Sequence, residues 1–197
     1  LLSRANLKTN PRATITSEVK ASHRLFDDIE KKGGVGILWK TGHSLIKAKM
    51  KEEGALLAGE MSGHMFFSDR YFGYDDAVYA AARLLEILAE TGKSPWELLA
   101  DLPGSHCTPE IRVDCPDDIK FDVVAKARKL FESQGLKVNG IDGARVEYKD
   151  GWGLVRASNT QPVLVFRFEA SSEQRLKEIR SSMESVVTQV LSGSKSS

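Results

Sequence analysis

The chain has 197 residues, 41% hydrophobic and 28% charged, enough to bury the core of one large or two small globular domains. Lys and Arg number 28 against 27 Asp and Glu, so a formal net charge of +1 sets up no whole-chain field to draw in nucleic acid or an acidic membrane, and any anion site must be local. No apolar run approaches the ~20 residues that span a bilayer, no signal-peptide pattern is present, and a first residue Leu1 leads to the expectation of a chain cut from something longer.

Residues 1–10 show no start of an element before Pro11. From 13 to 19 the β-branched Thr14, Ile15, Thr16 and Val19 predict a strand, after which Ser22 caps a helix carrying Leu25, Phe26 and Ile29. Gly33-Gly34 ends that helix, residues 35–39 form a second strand run, and the Thr41-Gly42 turn leads into a helix through Leu45, Ile46 and Met50. A third run, 55–58, ends at Gly59-Glu60-Met61-Ser62-Gly63-His64, and Met65-Phe66-Phe67 returns as a strand. Asp75 is placed as the N-cap of a long helix with Val78, Ala81, Ala82, Leu85 and Leu88 on its apolar face, ending at Gly92. Ser94-Pro95 opens a short helix and Pro103-Gly104 closes the unit. The alternating beat predicts an α/β domain over 1–103.

After Pro103-Gly104 strands group together and helices flank them, which predicts an α+β domain over 104–197. Residues 110–114 alternate about Ile111 and Val113, and Asp117 is placed as the cap of a helix carrying Phe121, Val124, Ala125 and Phe131 up to Gly135. Residues 144–148, 152–157 and 162–169 read as strands of one antiparallel sheet. Ser171 and Gln174 have capping-box spacing before a helix with Leu176, Ile179, Met183, Val186 and Val190 on its apolar face, and the closing Ser-Gly-Ser-Lys-Ser-Ser is expected to be a disordered tail. Cys107 and Cys115 have no second Cys pair or His partner at metal-ligand spacing, so reduced structural thiols and no metal site are expected.

Three stretches carry candidate chemistry. Arg156-Ala157-Ser158-Asn159-Thr160-Gln161-Pro162 lies between two predicted strands and crowds a guanidinium fork, two hydroxyls, an amide and turn N–H groups together, as a phosphate cradle requires; a polar hairpin turn is the plain alternative. In Gly59-Glu60-Met61-Ser62-Gly63-His64, Glu60 and Ser62 pair an acceptor with a donor for adjacent sugar hydroxyls, Gly63 permits a close backbone approach, and His64 offers an imidazole, a side chain able to move a proton; a loop histidine bonded to backbone is the alternative. Trp39-Lys40-Thr41-Gly42-His43 lies where a strand meets a helix, the ligand edge of an open α/β sheet, and Lys20 would share that edge with His43 and Glu60 if three strands run parallel.

Together with Gly36-Ile37-Leu38-Trp39-Lys40-Thr41-Gly42-His43, these loops closely resemble, in order and spacing, the α-D-phosphohexomutases of the phosphomannomutase/phosphoglucomutase type. The resemblance covers nearly the whole chain as the third and fourth of that family's four domains. It implies a mixed sheet with flanking helices, then an antiparallel sheet with helices of TATA-box-binding-protein-like type. It implies sugar contacts from Glu60, Met61, Ser62, Gly63 and His64, catalytic roles for His64, Lys20 and His43, and a phosphate site at Arg156, Ala157, Ser158, Asn159 and Thr160. The implied reaction interconverts hexose 1- and 6-phosphates of glucose or mannose through a bisphosphorylated intermediate. The phosphoserine and Mg²⁺ loops would lie in missing N-terminal domains, so the parent would use Mg²⁺, this chain would hold no cofactor, and neither nucleic acid nor membrane would be a partner. A noncatalytic sugar-phosphate-binding module and a phosphoglucosamine mutase are the alternatives; Met61 and Asn159 stand where the latter usually has Gln and Gly, and Ala21-Ser22-His23 departs from the Cys-Thr-Arg that often follows the cleft lysine. A cytoplasmic location is expected, or an organellar stroma if a transit peptide lies upstream.

Overall fold

In the computed structural model, which describes residues 1–194, the chain divides after Pro103 into two units, each with its own sheet and core. The first is built on β1 (Thr14–Glu18), β2 (Val35–Trp39), β3 (Leu57–Gly59) and β4 (Met65–Phe67), in the order β2-β1-β3-β4. β1 pairs parallel with both β2 and β3, and β4 returns antiparallel to β3, a mixed sheet. Side chains alternate between its faces: Ile15, Leu57 and Phe67 join one core with Leu7 and Ile29, whereas Ala58 and Phe66 join another with Ile46 and Met50. The helices α2 (His23–Lys31) and α3 (His43–Glu52) thus cover opposite faces, which aims the C-terminal ends of three parallel strands at one edge.

Local signals place most helix ends. Ser22 Oγ accepts from Arg24 N–H at the start of α2, and Ser94 and Glu97 form a reciprocal capping box on α5 (Pro95–Leu99). Three expectations fail here. Residues 2–9, read as featureless, form α1 (Leu2–Thr9), which has no side-chain cap and is held by tertiary contacts: Leu7 enters the core, and Arg4 makes two 2.7 Å bonds to Asp28 of α2. The long helix α4 (Ala77–Thr91) is capped by Asp76, whose Oδ1 accepts from Tyr79 N–H, one residue later than expected. Its anticipated inner stripe also faces outward, with Val78 81% and Leu85 64% exposed, because Arg83 is the residue turned in. The Arg83 guanidinium meets Asp69 through two 2.9 Å bonds and lies 4.8 Å from the centre of the Phe67 ring. A charged fork that must reach its carboxylate sets the helix rotation over a weaker apolar preference.

The second unit is a six-stranded antiparallel sheet in which β10 (Val163–Ala170) pairs with β9 (Gly151–Ala157) on one side and with β5 (His106–Cys107) and β6 (Ile111–Asp114) on the other. β8 (Ala144–Tyr148) and β7 (Lys137–Asn139) continue beyond β9; β5 and β7 are short strands absent from the sequence reading. α6 (Lys120–Ser133) and α7 (Glu173–Ser194) pack on this sheet through Val123, Val124, Ala127, Phe131, Ile179, Met183 and Val187. Phe121 and Ala125, expected inside, are exposed, Phe121 at 57%, whereas Val124 and Phe131 are buried as expected and Val123 and Ala127 complete the inner stripe. Asp117 does not cap α6. A turn closed by Ile119 and Lys120 N–H on Pro116 C=O comes first, and Asp117 instead binds Lys120 Nζ at 2.5 Å. Ser172, not Ser171, caps α7, its Oγ accepting from Arg175 N–H. The tail expectation fails for residues 192–194, which continue α7; Lys195 to Ser197 lie outside the described residues.

Burial pushes the Asp69 carboxyl up, but the Arg83 hydrogen bonds and charge outweigh it and hold the group below the ordinary carboxylate value. With a depressed folded-state pKa, this stabilisation is present above the unfolded value and lost as pH falls through the folded one. Arg83→Met is expected to lower the unfolding free energy by about 3 kcal/mol near neutral pH, with the gap to wild type narrowing below about pH 4. Urea titrations at several pH values measure this, and a pH-independent loss under about 1 kcal/mol would remove Arg83 as the determinant of helix rotation.

Candidate functional site

At the C-terminal edge of the first sheet, the end of β1 is the organising point. Glu18 is fully buried, and both carboxylate oxygens are engaged: Oε1 accepts from Met61 N–H at 2.8 Å and Oε2 from Thr41 Oγ1–H at 2.7 Å. Lys20 Nζ stands 3.4 Å from the same Oε2. One side chain therefore ties together the loop after β1, the loop after β2 and the loop after β3. Ser17 adds a bond from Oγ–H to Gly59 C=O at 2.8 Å.

The segment 59–64 is a hairpin turn, closed by Glu60 N–H on His64 C=O and Gly63 N–H on Glu60 C=O. Gly63 has φ +95°, which a side chain rarely tolerates, so glycine is required for the turn itself. Glu60 is buried and folded back, its Oε1 accepting from Gly42 N–H at 2.7 Å. It thus occupies the position beside the start of α3 where an external anion would otherwise settle. Met61, Ser62, Gly63 and His64 are exposed on the turn. His43, the first residue of α3, brings its ring centre to 5.9 Å from that of His64, and His64 Nδ1 lies 2.5 Å from Asp75 Oδ2. Lys20, His43 and the 60–64 turn, far apart in sequence, are thus neighbours at one edge.

In the second unit, Arg156 and Ala157 end β9, and the turn 158–162 leads into β10. Arg156 is buried, with its Nε–H donated to Asp142 Oδ2 at 3.0 Å. Ser158 Oγ accepts from the N–H groups of Thr160 (3.3 Å) and Gln161 (3.2 Å), while Asn159 and Thr160 are exposed. With its lone pairs taken, the Ser158 hydroxyl has its proton left to donate, which suits an acceptor-only ligand such as phosphate. Two cations flank the turn: Lys120 Nζ–H donates to Gln161 C=O at 3.0 Å, and Arg112 Nη1–H donates to Gln161 Oε1 at 2.9 Å. Each is already paired with a carboxylate, Asp117 or Glu110, so the turn is preorganised but carries little uncompensated charge.

Glu18, Asp142, Arg112 and Lys120 escaped the sequence reading, and Asp75 entered it only as a helix cap. The available signal for Glu18 was a carboxylate ending a strand two residues before a candidate lysine; for Asp75 it was the doublet Asp75-Asp76, only one of which can be the cap. Among the described residues, no group of three or more His, Cys, Asp or Glu side chains could hold a metal ion, and Cys107 and Cys115 are free thiols, the first exposed and the second buried. No described helix is long and apolar enough to cross a membrane.

The phosphoglucomutase/phosphomannomutase alpha/beta/alpha domain III model matches residues 1–105, and the C-terminal domain model of the same family matches residues 110–186. The chain is 51% identical to the phosphomannomutase/phosphoglucomutase of Pseudomonas putida over 88% of its own length and 38% of that protein's. It is 45% identical to the phosphoglucomutase of Neisseria gonorrhoeae over 92% of this chain and 40% of that one. A solved phosphoglucomutase/phosphomannomutase family protein from Burkholderia thailandensis superimposes with a TM-score of 0.85 at 46% identity, covering 95% of this chain and 40% of that chain. The chain spans well under half the length of the curated relatives it matches.

The Glu18 arrangement has a measurable consequence. Hydrogen bonds to a charged acceptor contribute about 1.5–3 kcal/mol, so Glu18→Ala is expected to speed exchange of the Met61 amide roughly tenfold or more relative to amides of α3. Unchanged Met61 protection in a folded variant would mean that Glu18 does not hold the turn.

Proposed function

This chain belongs to the phosphoglucomutase/phosphomannomutase family, and on that premise we propose that it is the sugar- and phosphate-recognising part of an enzyme interconverting hexose 1-phosphates and hexose 6-phosphates. The observation that carries the reading is the gathering of Lys20, His43, Glu60 and His64 at one sheet edge around a buried carboxylate. Paired donors and acceptors of this kind suit vicinal hydroxyls. Glu60, through its second carboxylate oxygen, and Ser62, through its hydroxyl, hold adjacent sugar hydroxyls; Met61 and Gly63 present the turn backbone, and His64 accepts or returns a hydroxyl proton. Lys20 offsets negative charge close to the ligand, and His43 bounds the space beside His64.

Phosphate recognition falls to the other unit. The Ser158 hydroxyl, the exposed Asn159 and Thr160 side chains and the Arg156 guanidinium supply donors to a phosphate that is not being transferred, with Ala157 keeping the strand end narrow. Such an anchor contributes through orientation, since phosphoryl transfer depends on positioning and charge neutralisation. Because Arg156 shares its charge with Asp142, the hydroxyl and amide donors carry more of the selectivity than net charge does. Mg²⁺ and the phosphoryl-carrying residue belong, on this reading, to the remainder of the parent protein, whose other domains are this chain's partners; its substrates are hexose phosphates of the glucose or mannose series.

A mutase assay on the parent protein tests the proposal. His64→Ala is expected to lower kcat by about 10²- to 10⁴-fold, the usual contribution of a general acid or base. Arg156→Ala is expected to raise KM, and the 197-residue chain alone should show no turnover. Parent protein that turns over hexose phosphates equally well with His64→Ala would contradict the assignment.

A further inference from the structure

We infer that Asp75 is a positioning residue for His64: its carboxylate keeps the imidazole proton on Nδ1, so that Nε2 is the nitrogen left to accept a proton from a ligand hydroxyl. The inference rests on the reading of His64 as the proton-transfer group. His64 Nδ1 stands 2.5 Å from Asp75 Oδ2, and an ionised carboxylate can only accept, so a neutral imidazole at that distance must donate from Nδ1. Unrestrained neutral histidine favours the opposite tautomer, with the proton on Nε2. The carboxylate therefore selects the form that turns a basic nitrogen away from itself, the same logic by which a buried aspartate orients the histidine of a hydrolase triad.

Asp75 is well placed to do this. Residue 75 forms an antiparallel bridge with Phe66, and its Oδ1 stands 3.4 Å from Met65 N–H, so the carboxylate is tied to the strand that His64 itself enters. The α4 cap is supplied by Asp76, which leaves Asp75 without a role in starting that helix. On its other side the His64 ring meets the ring of His43. The two side chains are 45% and 36% exposed, so the contact adds little to stability, and its consequence lies in tautomer and ring orientation.

Long-range ¹H–¹⁵N correlation spectra of the imidazoles in this chain, recorded where His64 is neutral, test the inference. Wild type is expected to show His64 protonated at Nδ1 with a bare Nε2; Asp75→Ala should move it to the Nε2–H form while His23, His43 and His106 stay unchanged. A wild-type His64 protonated at Nε2, or an Nδ1–H form that persists in Asp75→Ala, overturns it, and the wild-type spectrum alone decides should the variant not fold. In the parent protein Asp75→Ala is expected to lower kcat about tenfold or more with KM within about twofold. Normal kcat in Asp75→Ala beside a crippled His64→Ala also overturns the inference. A fully active His64→Ala instead overturns the functional reading, and the tautomer spectra still decide what Asp75 does to the ring.

Discussion

Glu18 ends the central strand of the first sheet with its carboxylate out of water, an arrangement that costs several kcal/mol unless the lone pairs find donors. Here they find Met61 N–H and the Thr41 hydroxyl, with the Lys20 ammonium close by. Those donors come from three different connections, so satisfying one buried charge fixes the relative positions of three loops. The parallel sheet brings the loops to one edge, but topology alone leaves turn conformation loose by ångströms. The carboxylate removes that freedom, and Glu60, folded back onto Gly42 N–H, repeats the device one loop further out. The exposed groups on the 60–64 turn then stand on a preorganised base, the condition under which positioning contributes to recognition and rate.

The turn in the second unit uses a neutral version of the same economy. Ser158 Oγ gathers two backbone N–H groups, Lys120 and Arg112 hold Gln161 from two directions, and Asp142 fixes the Arg156 guanidinium. Each cation near the turn is balanced by its own carboxylate, which agrees with a chain whose formal net charge is only +1. On the proposed reading of this turn as a phosphate site, selectivity comes from donor geometry more than from field strength.

Much of the strand framework was legible because β-branched runs bounded by Gly and Pro carry their own punctuation: residues 35–39 and 65–67 and the hairpin of β9 and β10 fall where the pattern puts them. The candidate loops join these strands, so their positions were legible with them. What the pattern missed was decided by contacts across the fold. α1 has weak local signals and forms because Leu7 and Arg4 find partners 20 residues or more away. α4 rotates its apolar stripe outward because Arg83 must reach Asp69, and an added turn at Pro116 delays the start of α6. Glu18 and Asp75 were invisible as functional candidates for the same reason, since one carboxylate looks like any other until its acceptor atoms are paired. Asp75 and Asp76 differ by a single position, yet one faces an imidazole and the other caps a helix.

We propose that the 60–64 turn takes the sugar, and the 158–160 turn the phosphate, of hexose phosphates. Titration of the ¹⁵N-labelled chain with glucose 1-phosphate, alongside inorganic phosphate, tests it most directly. The sugar phosphate should shift amides at both Met61 to Gly63 and Ser158 to Thr160, whereas inorganic phosphate should shift the latter alone. Identical responses to the two ligands, or silence at Ser158 to Thr160 with both, would rule out this division of sugar and phosphate between the turns.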